Sequence, residues 1–235
     1  MSRLILVHGD KGGVGKSTLA RATLDYLYRK NRIPVVYDAD NRNGQLHRFY
    51  NDVFPVNQLN IDLRGSFDEV LDKVAENKKS TSKANVFVDL PAQAGNSVEA
   101  ALSELRLVEA LDSIRARATL LFVIGRTTDS INALQIAFDL FGEIADFVVV
   151  KNEFFGDADR FTLYGASETH KNLVKSGAKE LLIPTLWGDT YDVVDRLNLP
   201  FFKVAESDLP LSTKARVSSW LKKFDTQFEN IDSWL

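Results

Sequence analysis

The chain has 235 residues, no cysteine, 45% apolar residues and a formal net charge of −3 from 29 basic and 32 acidic side chains. Without cysteine there is no disulfide, no thiolate zinc site and no cysteine-ligated iron–sulfur cluster. A slightly acidic chain is not a globally basic nucleic-acid binder, although a local basic patch stays open. The length suits one α/β domain over residues 1–235, with a core that needs no staples. No basic-plus-apolar leader opens the chain, and no run nears the ~20 apolar residues of a membrane span. The expectation is a soluble, cytoplasmic protein.

Residues 3–8 read as a buried strand. It runs into Gly9-Asp10-Lys11-Gly12-Gly13-Val14-Gly15-Lys16-Ser17-Thr18, and residues 16–30 follow as a helix with Ala20, Leu24, Leu27 and Tyr28 on one face. Strand, glycine-rich turn and helix is the context a phosphate-binding loop needs. Gly12, Gly13 and Gly15 let backbone N–H groups, that of Val14 among them, close on an anion. The helix start adds its positive dipole end. Lys16 offers a mobile charge to the β- and γ-phosphates, and the Ser17 hydroxyl, followed by Thr18, is placed to ligate Mg²⁺. The strict pattern G-x-x-x-x-G-K-[ST] fails at Asp10, but the longer K-G-G-V-G-K-S-T says more.

This stretch resembles the deviant Walker A motif of the ParA/MinD family of ATPases, and most closely its short plasmid-type members, which lack a helix-turn-helix segment before the loop. The resemblance implies a P-loop ATPase with ATP and Mg²⁺ as cofactors. It makes Lys11 the signature lysine, reaching the nucleotide of a second subunit, while Lys16 and Ser17 act in cis.

Ile33 to Tyr37 read as the next buried strand, ending in Asp38-Ala39-Asp40. Carboxylates at a strand's carboxyl end sit at the ligand edge of an open α/β sheet. In the family this is switch I, which implies that Asp40 positions the attacking water and contributes to the metal site, and that Asp38 supports the magnesium environment. The usual Pro and Gly are replaced by Asn41-Arg42-Asn43-Gly44. Residues 45–65 are weakly patterned and suggest a partly packed loop around Phe49, Tyr50, Phe54 and Pro55. Leu59 to Leu63 alternate like an edge strand. Ser66 caps a helix through about Asn77, with Asp68 and Glu69 in its first turn, and 78–83 form a polar connector.

Ala84 to Asp89 are another buried strand ending in an acid, the pattern in which a carboxylate holds a Mg²⁺-bound water. Asp89 is thus a switch and metal candidate. Leu90 to Gly95 resemble the family's switch II with two residues inserted. A glycine there can donate its N–H to a γ-phosphate, which makes Gly95 the candidate sensor. Residues 97–113 read as a helix with Ala101, Leu102, Leu105, Val108 and Leu111 on its apolar side. Ala118 to Ile124 read as a strand buried on both faces, as in the middle of a parallel sheet. Residues 129–141 are a helix, Phe147 to Val150 a strand, and Asn152 follows it. In the family an asparagine there hydrogen-bonds adenine. The GTPase base motif N-K-x-D is absent, so ATP is expected rather than GTP. Phe154 to Tyr164 form an aromatic, insertion-like loop. Leu181 to Pro184 are the last short strand, and by the resemblance the loop at Pro184 lies against the base.

Residues 212–235 are a helical candidate with Val217, Trp220, Leu221, Phe224, Phe228, Ile231, Trp234 and Leu235 at helical spacing. The simplest reading is a helix packed on the sheet. A membrane-surface helix would resemble the MinD branch, but Asp225, Glu229 and Asp232 offset the basic residues. A nonspecific DNA contact would resemble the ParA branch, with Lys214, Arg216, Lys222 and Lys223 on phosphates.

Alternating strands and helices call for a parallel, mostly doubly wound sheet with helices on both faces. The function expected is an ATP-bridged homodimer that binds nonspecific DNA, positions or segregates cargo such as plasmid DNA, and is released by weak hydrolysis stimulated by an adaptor protein. Two other classes stand beside it. One is a metabolic ligase or synthetase resembling dethiobiotin synthetase or cobyrinate amidase, relatives that generally lack the K-G-G signature carrying Lys11. The other is a protein-only, ATP-gated assembly factor for conjugation or another cellular machine.

Overall fold

The computed structural model describes residues 3–9, 12–40, 44–79, 84–91, 100, 104–142 and 145–235. Seven parallel strands form one sheet in the order β3-β2-β4-β1-β5-β6-β7. They are β1 (Arg3–Gly9), β2 (Val35–Asp38), β3 (Val56–Gln58), β4 (Val86–Asp89), β5 (Arg117–Ile124), β6 (Ala145–Asn152) and β7 (Lys179–Ile183). The strand order reverses at β1, so the crevice at the carboxyl end of β1 is the switch point where open α/β sheets take ligands.

Side-chain alternation along β1 feeds two cores. Leu4 and Leu6 join one face with Phe67, Val70 and Val74 of α3 (Ser66–Lys79), Leu111 of α4 (Leu107–Ser113) and Leu134 of α5 (Thr128–Phe141). Ile5 and Val7 join the other with Leu19, Ala20 and Leu24 of α1 (Lys16–Arg29) and Phe49 and Tyr50 of α2 (Gln45–Tyr50). Two further short helices, α6 (Thr162–Ala166) and α7 (Glu168–Lys175), lie before β7, and α8 (Gly188–Arg196) and α9 (Leu211–Glu229) follow it. Val217, Trp220, Phe224 and Phe228 of α9 are buried in the second core. The sheet is thus covered on both faces, which is why its central strands are mostly apolar.

The sequence reading needs correction in several places. Residues 45–50 are helix rather than loop, and the edge strand is Val56–Gln58, whereas Leu59 to Leu63 lie outside any strand, with a turn at 61–62. Lys78 and Lys79 close α3 rather than starting a connector. The aromatic stretch after Asn152 is two 3₁₀ turns, Glu153–Phe155 and Ala158–Arg160, leading into α6. Helix α7 has no counterpart in the expected elements. The last helix stops at Glu229, and Asp232–Trp234 is a separate 3₁₀ turn. Helicity ends there because the terminus folds back on the sheet: the Thr119 hydroxyl donates to the Trp234 carbonyl at 2.6 Å, and Leu235 is buried. Of the helix expected over 97–113, Leu107–Ser113 is seen; Ala101 and Leu102 lie outside the described residues.

Candidate functional site

The loop after β1 turns into α1 through Gly15, whose φ of 105° is a left-handed value that favours glycine. A Cβ here would also collide with the Asn152 side-chain nitrogen. No side chain caps α1, and the N–H groups at a helix start suit an anion. Gly12 and Gly13 are exposed, Val14 and Lys16 are buried, and Ser17 and Thr18 are half-buried. Lys11 lies outside the described residues, as does Gly95.

Parallel register puts the strand-end acids side by side. Asp38 of β2 is paired with Asp89 of β4, and Asp89 with Val7 of β1. Both carboxylates are buried, at 1% and 2% exposure. Asp38 Oδ2 accepts from the His47 N–H at 2.9 Å and Oδ1 from the Asp40 N–H at 3.2 Å, so Asp38 fixes the start of α2 and the turn at Asp40. Asp89 Oδ1 has no hydrogen-bond partner. Burial pushes the Asp89 carboxyl well above its usual range; the nearby Asp38 charge adds to this and Lys16 opposes it. Burial also raises Asp38. On the same strand as the loop, burial and then Lys16 lower His8 to about 4, which keeps the imidazole neutral at pH 7. A buried acid pair beside one lysine and the open start of a helix lacks positive charge, and an incoming cation would supply it.

One cavity of about 400 Å³ collects the loop and the residues that follow β6 and β7. Gly13, Gly15, Lys16, Ser17 and Thr18 line one end, and Asn152, Ile183, Pro184 and Thr185 the other. The Asn152 side-chain N–H donates to the Val14 carbonyl at 2.8 Å, and its oxygen accepts from the Phe154 N–H at 3.0 Å. Asn152 therefore braces the phosphate loop from β6. The Trp220 indole N–H donates to the Pro184 carbonyl at 2.7 Å, which ties α9 to the loop after β7. The Thr18 hydroxyl lies 3.3 Å from that of Tyr191. Sequence reasoning missed Gln45, Tyr191, Asp192 and Trp220 as lining residues. Trp220 stood in an apolar stripe and read as core, which it also is.

No group of three or more His, Cys, Asp or Glu side chains among the described residues is arranged to hold a metal by itself. Magnesium in a nucleotide site takes one or two protein oxygens together with phosphate and water oxygens. The orphaned Asp89 oxygen and the Ser17 hydroxyl are the fitting donors.

The four cations of α9 are not equivalent. Lys222 and Lys223 are exposed, Lys214 is half-buried, and the Arg216 guanidinium stacks 3.9 Å from the Trp187 ring centre. No helix among the described residues is long and apolar enough to cross a membrane.

No protein-family model matches the chain. It is 25% identical over 234 residues to Protein MobD of Acidithiobacillus ferrooxidans, covering 97% of each chain. Among solved structures it is similar to the MinD cell division protein of Aquifex aeolicus, with 17% identity, a TM-score of 0.51 and coverage of 94% of this chain and 96% of that one. The MinC:MinD complex of the same organism gives 17% identity and a TM-score of 0.49 over 94% and 95%. The chain has the fold of MinD, as the resemblance of its loop to the ParA/MinD family implies.

Proposed function

We propose that this chain is an ATP-dependent switch ATPase that dimerises around bound nucleotide. The observation that carries the reading is the single cavity in which the Gly13–Thr18 loop, the open start of α1 and the Asn152 and Pro184 wall converge, with Asp38 and Asp89 paired at the neighbouring strand ends. Loop N–H groups and Lys16 take the phosphates. Ser17 and Asp89 would hold Mg²⁺, which would supply positive charge against the phosphates. Asp40, held in its turn by Asp38, orients the attacking water. The base lies between Asn152 and the loop at Pro184. Each polar end of Asn152 carries one hydrogen bond, which leaves a second N–H and a second lone pair for an adenine contact. Lys11 reaches the nucleotide of the second subunit, and Gly95 senses the γ-phosphate. The assembled dimer binds nonspecific DNA through α9, carries cargo such as a plasmid, and leaves when an adaptor protein stimulates hydrolysis.

A protein-only assembly role, for conjugation or another machine, is the second reading. It is favoured by the stacking of Arg216 on Trp187 and by the excess of acidic residues, both of which thin the basic surface.

The test is the mass of the particle in solution with a nonhydrolysed ATP analogue and Mg²⁺. The chain as it stands should double in mass. Lys16→Ala should lose nucleotide binding, while Lys11→Ala should bind nucleotide and stay monomeric. An ATP-dependent dimer of Lys11→Ala would overturn the role in trans.

A further inference from the structure

Phe154 stands on the short 3₁₀ turn directly after β6 and is 74% exposed. A single apolar side chain on a surface is ordinary, but this one borders the same cavity as Asn152, Ile183 and Pro184. Nearly all the surface of a phenylalanine belongs to its ring. At this exposure, what the turn offers to its surroundings is an aromatic face.

The turn that carries the ring is held from three sides. The Asn152 side-chain oxygen accepts from the Phe154 N–H at 3.0 Å, while its nitrogen donates to the Val14 carbonyl at 2.8 Å. Phe154 thus hangs from the side chain that braces the phosphate loop. Phe155 packs on the second core. Its ring meets that of Phe154 edge to face, with centres 5.4 Å apart, a contact that covers at most one face of Phe154. From the end of β5, the Arg126 guanidinium donates to the Phe155 carbonyl at 2.9 Å. The backbone is therefore fixed while the ring keeps an open face. Ile183, Pro184 and Leu186 give the cavity apolar surface from the loop after β7.

We propose that Phe154 stacks on the adenine ring of bound ATP. A base has two apolar faces and a polar edge. The ring of Phe154 takes one face, and the neighbouring Asn152 has an N–H and a lone pair to spare for the edge. This rests on the ATP reading of the cavity and adds to it the group that supplies affinity for the base. Every base has a π-face, so stacking gives strength and leaves the choice of base to hydrogen bonds. The open ring is then a surface that the ligand completes.

The test measures ATP and tripolyphosphate binding by calorimetry for the unaltered chain, Phe154→Ala and Phe154→Trp. An exposed side chain adds little to the core, so both variants should unfold at the parent's temperature. Phe154→Ala should bind ATP roughly tenfold more weakly and tripolyphosphate as before. Phe154→Trp should bind ATP as the parent does, and its added indole fluorescence should be quenched by ATP and not by tripolyphosphate, beyond the response of the unaltered chain. Unchanged ATP affinity in Phe154→Ala would overturn the stacking and leave the ring to a protein partner. An equal loss for both ligands would also overturn it, because the turn would then act on the phosphate loop through Asn152. So would a Phe154→Trp chain that binds ATP without added quenching. In each of these cases the unaltered chain still binds ATP, and this inference fails alone. If the unaltered chain binds no ATP, the underlying reading fails with it.

Discussion

Asp25 sits on the buried side of α1, two turns past the phosphate loop, with no exposed surface. Burial raises its carboxyl from the usual 3.8 to about 7, although the Tyr50 hydroxyl, Arg21 and Arg29 all pull the other way. The Tyr50 hydroxyl lies 2.5 Å from Asp25 Oδ1 and 2.8 Å from the Arg21 carbonyl, and one hydroxyl proton cannot serve both. A protonated Asp25 resolves this, because it donates to Tyr50 while Tyr50 donates to the carbonyl. The raised value fixes the sign of a pH effect. Between about pH 4 and 7 the folded chain holds a proton at Asp25 that the unfolded chain releases, so stability falls as pH rises through that window. Asp25→Asn removes the titration. Denaturant unfolding should show the variant gaining on the parent chain by on the order of 4 kcal/mol from pH 4 to pH 8. Parallel profiles for the two chains would contradict a protonated Asp25.

At the level of elements, the long strands and helices were legible and the short ones were not. The runs 4–7, 86–88 and 120–124 are continuously apolar because helices cover both faces of a parallel sheet. Periodicity needs a window of about 11–18 residues, which the six residues of α2 and three of β3 cannot fill. The placement of Asp38, Asp89 and the glycine loop at strand ends was legible because it follows from local pattern. Gln45, Tyr191 and Trp220 could not, because tertiary packing decides which of their neighbours they meet. Trp220 shows what that packing does. It is 3% exposed, packs on Phe201 and Phe224, and carries the hydrogen bond to the Pro184 carbonyl that sets the base-side wall. Trp220→Phe keeps most of the apolar contact and orphans that carbonyl, so unfolding should cost about 1–3 kcal/mol less. ATP affinity should fall several-fold while pyrophosphate affinity holds, since only the base side of the cavity is loosened. An equal loss for both ligands would mean that the phosphate end depends on Trp220 as well.

Across the whole molecule, α9 is the element that joins the nucleotide site to an outer surface. Its inner face is buried in the core shared with α1, and Trp220 touches the cavity wall. Lys222 and Lys223 lie within one turn of Trp220 and point to solvent. A partner bound there would sit one side chain away from the loop at Pro184, a short route by which a ligand in the cavity and surface binding would bias each other. The electrostatics favour neither reading outright. Net charge is −3, Asp225 on the same helix is spent on a two-pronged ion pair with Arg29, and Arg216 is stacked on Trp187. Salt dependence separates the readings. Each phosphate contact contributes a slope of about −0.9 in log affinity against log salt on duplex DNA. With a nonhydrolysed ATP analogue bound, the chain should bind random-sequence duplex, and joint alanine substitution of Lys214, Arg216, Lys222 and Lys223 should weaken binding and flatten the slope by about two to four units. Lys222 and Lys223 should account for most of that change, because Arg216 must leave Trp187 before it can reach a phosphate. If the substituted chain binds with the same affinity and slope, α9 is not the DNA surface. If the unaltered chain binds no DNA in any nucleotide state, the surface on α9 serves a protein, and the switch assembles proteins rather than carrying DNA.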